Sequence, residues 1–225
     1  MPITITPHSE GALLAVRAQP GARKNGVLGE QAGALKVAVT KTVGVEVAAV
    51  AVELGVPDLG ENRPQELWKK AAALPAARIH LIGHLQRNKI DRTIPLVSLV
   101  HSVDSERVLE ALDAFGRSRN IPVPILLEVN CSREANKGGF APEQLLALSD
   151  RALSLPGVSV RGLMTMAAYH DDPQLCRPAF AELRQLRDRL GLAELSMGMS
   201  NDFEVAIEEG ATYVRVGTTL FEGIS

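Results

Sequence analysis

Two short stretches late in the chain bring small residues and hydroxyls to places where an apolar pattern stops. Residues 195–202 read LSMGMSND, and residues 213–219 read YVRVGTT. Each follows a strand pattern with glycine and hydroxyl side chains. Glycine lets backbone N–H groups approach an anion closely, and Ser200 adds a hydroxyl. Gly217 and Thr218 repeat that chemistry after the next strand. The same residue types also make ordinary strand-to-helix turns, and Ser200 or Asn201 could simply cap a helix over residues 203–209. Lys41 ends the first regular strand. A lysine there, partly desolvated by strand ends, would have a lowered pKa and could form a Schiff base with a carbonyl compound. A single strand-end lysine more often reaches solvent. Lys36 and Lys89 compete for the role, one before the strand core and the other well into a loop. Arg215 lies between Val214 and Val216, beside the second anion stretch. An inward arginine needs an acceptor. Either a barrel carboxylate or an unprotonated pyridine nitrogen would serve; the second would weaken a ring as an electron sink.

Other polar residues leave more than one role open. Asn62 could bond a ligand hydroxyl or cap the helix starting at Pro64. His80 alternates with Ile79 and Leu81, which suits an inward core histidine satisfied by a neighbour. His84 lies four residues on, but no third ligand completes a zinc set. Asn130, Asn136 and Lys137 follow a strand. Met164 and Met166 could line a ring-shaped ligand or fill core.

The elements that must position these residues alternate regularly from Leu35. Strands are predicted over 35–39, 57–59, 78–82, 97–101, 123–129, 158–164, 195–197 and 213–216. Helices are predicted over 45–54, 64–74, 102–116, 142–155, 173–190 and 203–209, with residues 83–89 as a polar loop. Alternation implies a parallel sheet, and eight strands imply a closed α/β barrel with its working loops at one rim. An open doubly wound sheet is the competing architecture. Residues 1–34 are an atypical segment in which Pro20 and four glycines prevent a long helix, with strands over 13–18 and 27–28; residues 35–225 form the barrel unit. About nine residues follow the eighth strand, too few for a last barrel helix.

The composition excludes several function classes. The 225 residues are 46% hydrophobic with a formal charge of −2, which gives no electrostatic case for nucleic acid or an anionic membrane. Aromatics are 4%, too few for base-stacking surfaces. Cys131 and Cys176 have no paired spacing and suit a reducing compartment. Without a signal layout or a membrane-length apolar run, a cytoplasmic protein is expected.

Seven segments, in order, resemble the YggS family, the pyridoxal phosphate homeostasis proteins. They are residues 39–42 (VTKT), 60–62 (GEN) with 65–66 (QE), 80–89 (HLIGHLQRNK), 129–130 (VN) with 136–140 (NKGGF), 161–166 (RGLMTM), 196–200 (SMGMS) and 214–218 (VRVGT). The resemblance covers about residues 35–221. It implies a single (β/α)8 TIM-type barrel of fold type III, like the N-terminal domain of alanine racemases. It implies pyridoxal 5′-phosphate (PLP) as a Schiff base on Lys41, with phosphate contacts at Ser200, Gly217 and Thr218. Arg215 would face the ring nitrogen, and Asn62, His80 and Met164 would line the ring. The implied function is intracellular vitamin B6 (PLP) homeostasis by a monomeric carrier without established turnover, serving PLP-dependent acceptor enzymes. The alternative is a weak racemase-like enzyme, although such racemases draw a second base from a separate β domain, which is not expected here.

Two departures stand out. The family opens with a long helix, whereas residues 11–39 resemble the small YggU family, with the join inside the first strand; a gene fusion, an engineered chimera or a misassembled frame would each produce it. Glu222 also stands where the family usually has glycine.

Overall fold

A computed structural model describes residues 5–8, 11–14, 34–217 and 220–221. Strands β1 (Ile5–His8) and β2 (Gly11–Leu14) form an antiparallel hairpin. The expected strand over 13–18 overlaps β2 at two residues; its remainder, and the strand over 27–28, lie outside the described residues.

The eight expected strands close a parallel barrel. They are β3 (Leu35–Val39), β4 (Asp58–Glu61), β5 (Arg78–Leu81), β6 (Leu99–Val103), β7 (Val123–Glu128), β8 (Val158–Met164), β9 (Glu194–Ser196) and β10 (Tyr213–Val216). Their order is sequential, and β10 pairs with β3 to close the ring. The helices are α1 (Val45–Glu53), α2 (Pro64–Ala73), α3 (Ile90–Thr93), α4 (Glu106–Arg119), α5 (Pro142–Ser154), α6 (Arg177–Arg189) and α7 (Phe203–Glu208). The open-sheet alternative is therefore set aside.

The period-two pattern of the strands divides the apolar residues in two. Leu59, Leu81, Ile125, Leu127, Leu163 and Leu195 face the helices in one continuous layer. Each fully buried aliphatic side chain there contributes about 1.5–3 kcal/mol. Leu99, Leu126 and Met164 face the barrel axis, packed with Met166 and Tyr213. The interior is otherwise polar to an unusual degree, with Asp58, His80, His101, Ser196 and Arg215 all buried.

Several boundaries differ from expectation. Strand β6 runs two residues later than expected, because Ser102 does not open the helix: its hydroxyl donates to the Gly83 carbonyl, and Ser105 takes the cap position of α4. The long helix expected over 173–190 divides into a 3-10 turn, Pro173–Cys176, and α6. Pro178 has no N–H to continue an α-ladder from the turn before it. Short helical turns also occupy Arg87–Lys89, α3 and Ile94–Leu96, where a simple loop was expected to begin.

Candidate functional site at the carboxyl rim of the barrel

The β10–β3 register brings the two halves of the sequence-predicted site together. Val216 lies opposite Ala38, so Gly217 stands level with Val39. A Cβ placed on Gly217 would sit 3.0 Å from Val39 Cβ and 3.1 Å from its carbonyl oxygen. A side chain there would crowd β3, so glycine suits this close approach. The Gly217 N–H donates to Ser200 Oγ at 3.3 Å. Ser200, Gly217 and the end of β3 therefore share one rim, and Lys41 follows Val39 by two residues. Thr218 lies outside the described residues.

Ser200 is not a helix cap. Helix α7 starts after Asp202, whose carboxylate accepts from the Met199 N–H at 2.6 Å. Asn201 instead donates to the His170 carbonyl at 2.8 Å. The turn that presents Ser200 begins at Gly198, whose φ of +88° suits glycine alone among common residues. A Cβ there would meet Ala206 Cβ at 2.6 Å.

Lys41 is exposed, which corrects the expectation of partial desolvation. Strand β3 ends at Val39, and Lys41 sits in the turn beyond it. Burial does lower the pKa of Lys36, but Lys36 lies at the opposite end of β3. The backbone under Lys41 is firmly held. The Thr40 N–H donates to Gly60 O at 3.1 Å, and Thr40 O accepts from Lys70 Nζ at 2.6 Å. Thr40 Oγ1 donates to Glu61 Oε1, which also accepts from Lys70 at 2.5 Å. Lys70 reaches this buried cluster from α2.

Arg215 points inward, as expected, but has no ion pair among the described residues. Its Nη1 donates to Ser196 Oγ at 2.6 Å and its Nη2 to the Thr165 carbonyl at 2.8 Å. Both acceptors lie at the carboxyl ends of β9 and β8, which places the guanidinium near the rim. Burial pulls its pKa down to about 10, against the opposing charges of Glu128 and Asp202, so it stays cationic at neutral pH.

His80 lies inside the barrel, and Met164, the last residue of β8, is level with Glu128 and Ser196. Both ring nitrogens of His80 are engaged, Nε2 with Asp58 at 3.0 Å and Nδ1 with His101 at 2.9 Å. It is the internally satisfied histidine that its alternation with Ile79 and Leu81 suggests. Met164 is fully buried on the axis. Asn62 is half-buried just past β4, its backbone so close to Gly83 that a Cβ there would lie 2.3 Å from Asn62 O. His84 pairs with Asp104 at 2.8 Å. Lys137 donates to Ala167 O at 3.0 Å and pairs with Glu134, tying the loops after β7 and β8 together. No group of described residues could hold a metal ion.

Glu128, the last residue of β7, was read only as part of a strand. It is buried at the rim, and among the described residues its carboxyl has no hydrogen-bond partner. Burial pushes its pKa up to about 7, reinforced by Asp104 and opposed by Arg215 and His84. Its parity with Leu126, two residues earlier on the inner face, is the signal that could have singled it out. The same parity reasoning would have singled out Asp58 and His101.

A family model described as "Alanine racemase, N-terminal domain" matches residues 27–224. A pyridoxal phosphate homeostasis protein from Aquifex aeolicus is 45% identical over 190 residues, spanning 81% of this chain and 83% of that one. The structure of PipY from Synechococcus elongatus, with PLP bound, is 33% identical and superimposes with a TM-score of 0.76 over 84% of this chain and 92% of that one. An alanine racemase from Clostridium difficile, 16% identical with a TM-score of 0.73 over 86% of this chain and 53% of that one, shares the fold. With its closed barrel and this sequence match, the chain belongs to the alanine racemase N-terminal domain family, in the branch of the pyridoxal phosphate homeostasis proteins.

Proposed function

We propose that this protein is a cytoplasmic, monomeric PLP-binding protein of intracellular vitamin B6 homeostasis, holding PLP as a Schiff base on Lys41 and passing it to PLP-dependent acceptor enzymes. The observation that carries this reading is the contact among Gly217, Ser200 and Val39, which sets an anion cradle two residues from Lys41. The residues present fit PLP. Gly217 leaves open backbone for a phosphate, Ser200 brings a hydroxyl beside it, and Thr218 follows in sequence. Arg215 is a buried cation whose described partners are neutral, so it can still serve a pyridine nitrogen. The family resemblance assigns Asn62 and Met164 to the ring; Asn62 is half-buried just past β4 and Met164 is buried on the barrel axis.

When bound, PLP supplies an aldehyde, a ring electron sink and a phosphate dianion. The chain's own residues bind and orient. Thr40, clamped by Glu61 and Lys70, fixes the turn that presents Lys41. Arg215 offers the ring nitrogen a donor and so disfavours its protonation, which suppresses carbanion chemistry. The side chains of His80, His84 and Lys137 are all engaged by other groups of the chain. No described helix is long and apolar enough to cross a membrane.

Absorbance of the purified protein with added PLP, before and after borohydride, tests this reading. A protein with Lys41 intact that takes up no PLP would overturn it. Weak racemase-like exchange has one observation in its favour, the near-neutral pKa of buried Glu128. Loss of α-deuterium from amino acids, abolished by both Lys41→Ala and Glu128→Gln, would establish that activity; no exchange would end it.

A further inference from the structure

A chain of hydrogen bonds runs through the barrel from one end to the other. At the amino end Arg78 Nε donates to Asp58 Oδ1 at 2.9 Å. Asp58 Oδ1 also meets His80 Nε2 at 3.0 Å, and His80 Nδ1 meets His101 Nε2 at 2.9 Å. His101 Nδ1 meets Ser196 Oγ at 2.8 Å, and Ser196 Oγ accepts from Arg215 Nη1 at 2.6 Å. Asp58, His80, His101, Ser196 and Arg215 are each at most 3% exposed. Tyr213 packs against both imidazoles, with ring centroids 5.9 Å from His80 and 5.3 Å from His101.

The two ends fix the direction of every bond between them. Arg215 can only donate, and ionised Asp58 can only accept. Burial alone would raise the Asp58 pKa, but hydrogen bonds from His80 and Arg78 outweigh it and hold it below the ordinary carboxylate value. His80 Nε2 must therefore carry the proton that Asp58 accepts. With a neutral ring, His80 Nδ1 is then an acceptor, and His101 Nε2–H donates to it. His101 Nδ1 is left bare and accepts the Ser196 hydroxyl proton, so Ser196 Oγ presents its lone pairs to Arg215. The reverse order would set a bare His80 nitrogen against the Asp58 carboxylate and leave the Ser196 proton without an acceptor. A protonated His101 is disfavoured because burial, reinforced by the charge of Arg215, drives its pKa well below the usual histidine value.

We propose that Asp58, His80, His101 and Ser196 form a one-way hydrogen-bond relay that locks Arg215 as a donor toward the cofactor ring, with His101 as the positioning residue at its centre. The part concerning the cofactor rests on the PLP-binding reading; the direction of the relay does not. Met164 and Leu99 pack on the axis with Tyr213, which touches both imidazoles, so the relay has apolar neighbours and its hydrogen bonds act in a low-dielectric setting. Charge at Asp58 is thereby coupled to the ring-nitrogen end of the site through neutral side chains alone.

Two measurements test it. In cofactor-free protein at neutral pH, nitrogen-15 NMR of the histidine rings should find His80 and His101 both as the Nε2–H tautomer. A proton on His101 Nδ1 overturns the relay, whatever the protein binds. In PLP-loaded protein, His101→Phe should leave Lys41 labelled by borohydride but shift the absorption maximum and weaken PLP retention about tenfold, the effect of one lost hydrogen bond. His101→Gln, which keeps one donor and one acceptor, should restore both. An unchanged spectrum and retention in His101→Phe overturn the coupling. Should His101→Phe fail to fold, Ser196→Ala, which removes the link next to Arg215, is read the same way. Wild-type protein that takes up no PLP defeats the binding reading, while the tautomer result still decides the relay.

Discussion

The interior of the barrel and its carboxyl rim put polar groups to opposite uses. Inside, Asp58, His80, His101, Ser196 and Arg215 satisfy one another and face no solvent. At the rim, Lys41 is exposed, Gly217 is bare backbone, and Glu128 is buried without a hydrogen-bond partner among the described residues. Polar groups paired inside a low-dielectric core hold one arrangement, whereas groups left open at a rim keep their capacity for a ligand. Interior substitutions should therefore cost stability, and rim substitutions should cost binding.

The largest effect should come from the interior. Asp58→Ala leaves buried His80 and the Arg78 guanidinium without their shared carboxylate, and should lower the unfolding free energy by about 3–5 kcal/mol in a denaturant titration. A loss of under about 1 kcal/mol would mean that the interior network is slack and the contrast with the rim is false.

Glu128 sharpens the comparison because it is buried at the rim without compensation. Its pKa stands near 7 in the fold against 4.5 when free. Between those values the folded chain retains a proton that the unfolded chain has released, so stability falls as pH rises through that window. The full cost above it is about 3 kcal/mol. Glu128→Gln has no such proton to lose. It should raise stability by up to about 3 kcal/mol near pH 8 and leave it unchanged near pH 4. Equal effects at both pH values would show that Glu128 ionises as an ordinary carboxylate.

Ser200→Ala should have the smallest effect on stability and a selective one on the ligand. Loss of one phosphate contact should weaken PLP binding about tenfold, with thermal unfolding of the cofactor-free protein nearly unchanged. A large drop in melting temperature with unaltered PLP affinity would assign Ser200 to the scaffold instead.

The sequence made the barrel readable because strand and helix patterns alternate and each strand carries its apolar residues at period two. Lys41, Arg215 and Gly217 could be placed at or near strand ends by the same reasoning. A boundary failed where a side chain took an unexpected partner, as Ser102 did with Gly83. The relay could not be read, because its links join residues far apart in the chain: Asp58 to His80, then His101 to Ser196. Strand parity put each of them inside, but only barrel closure shows which inward residues meet. Glu128 was hidden for a related reason, since its burial depends on the Gly138–Gly139 backbone folding over it.

The central claim is that Lys41 carries PLP across from the Ser200 and Gly217 cradle. Borohydride reduction of the PLP-loaded protein, followed by peptide mass mapping, tests it most directly. The adduct should fall on the peptide containing Lys41, and Lys41→Ala should lose it while unfolding within about 0.5 kcal/mol of the parent. An adduct on Lys36, Lys89 or Lys137, or none at all, would contradict the account.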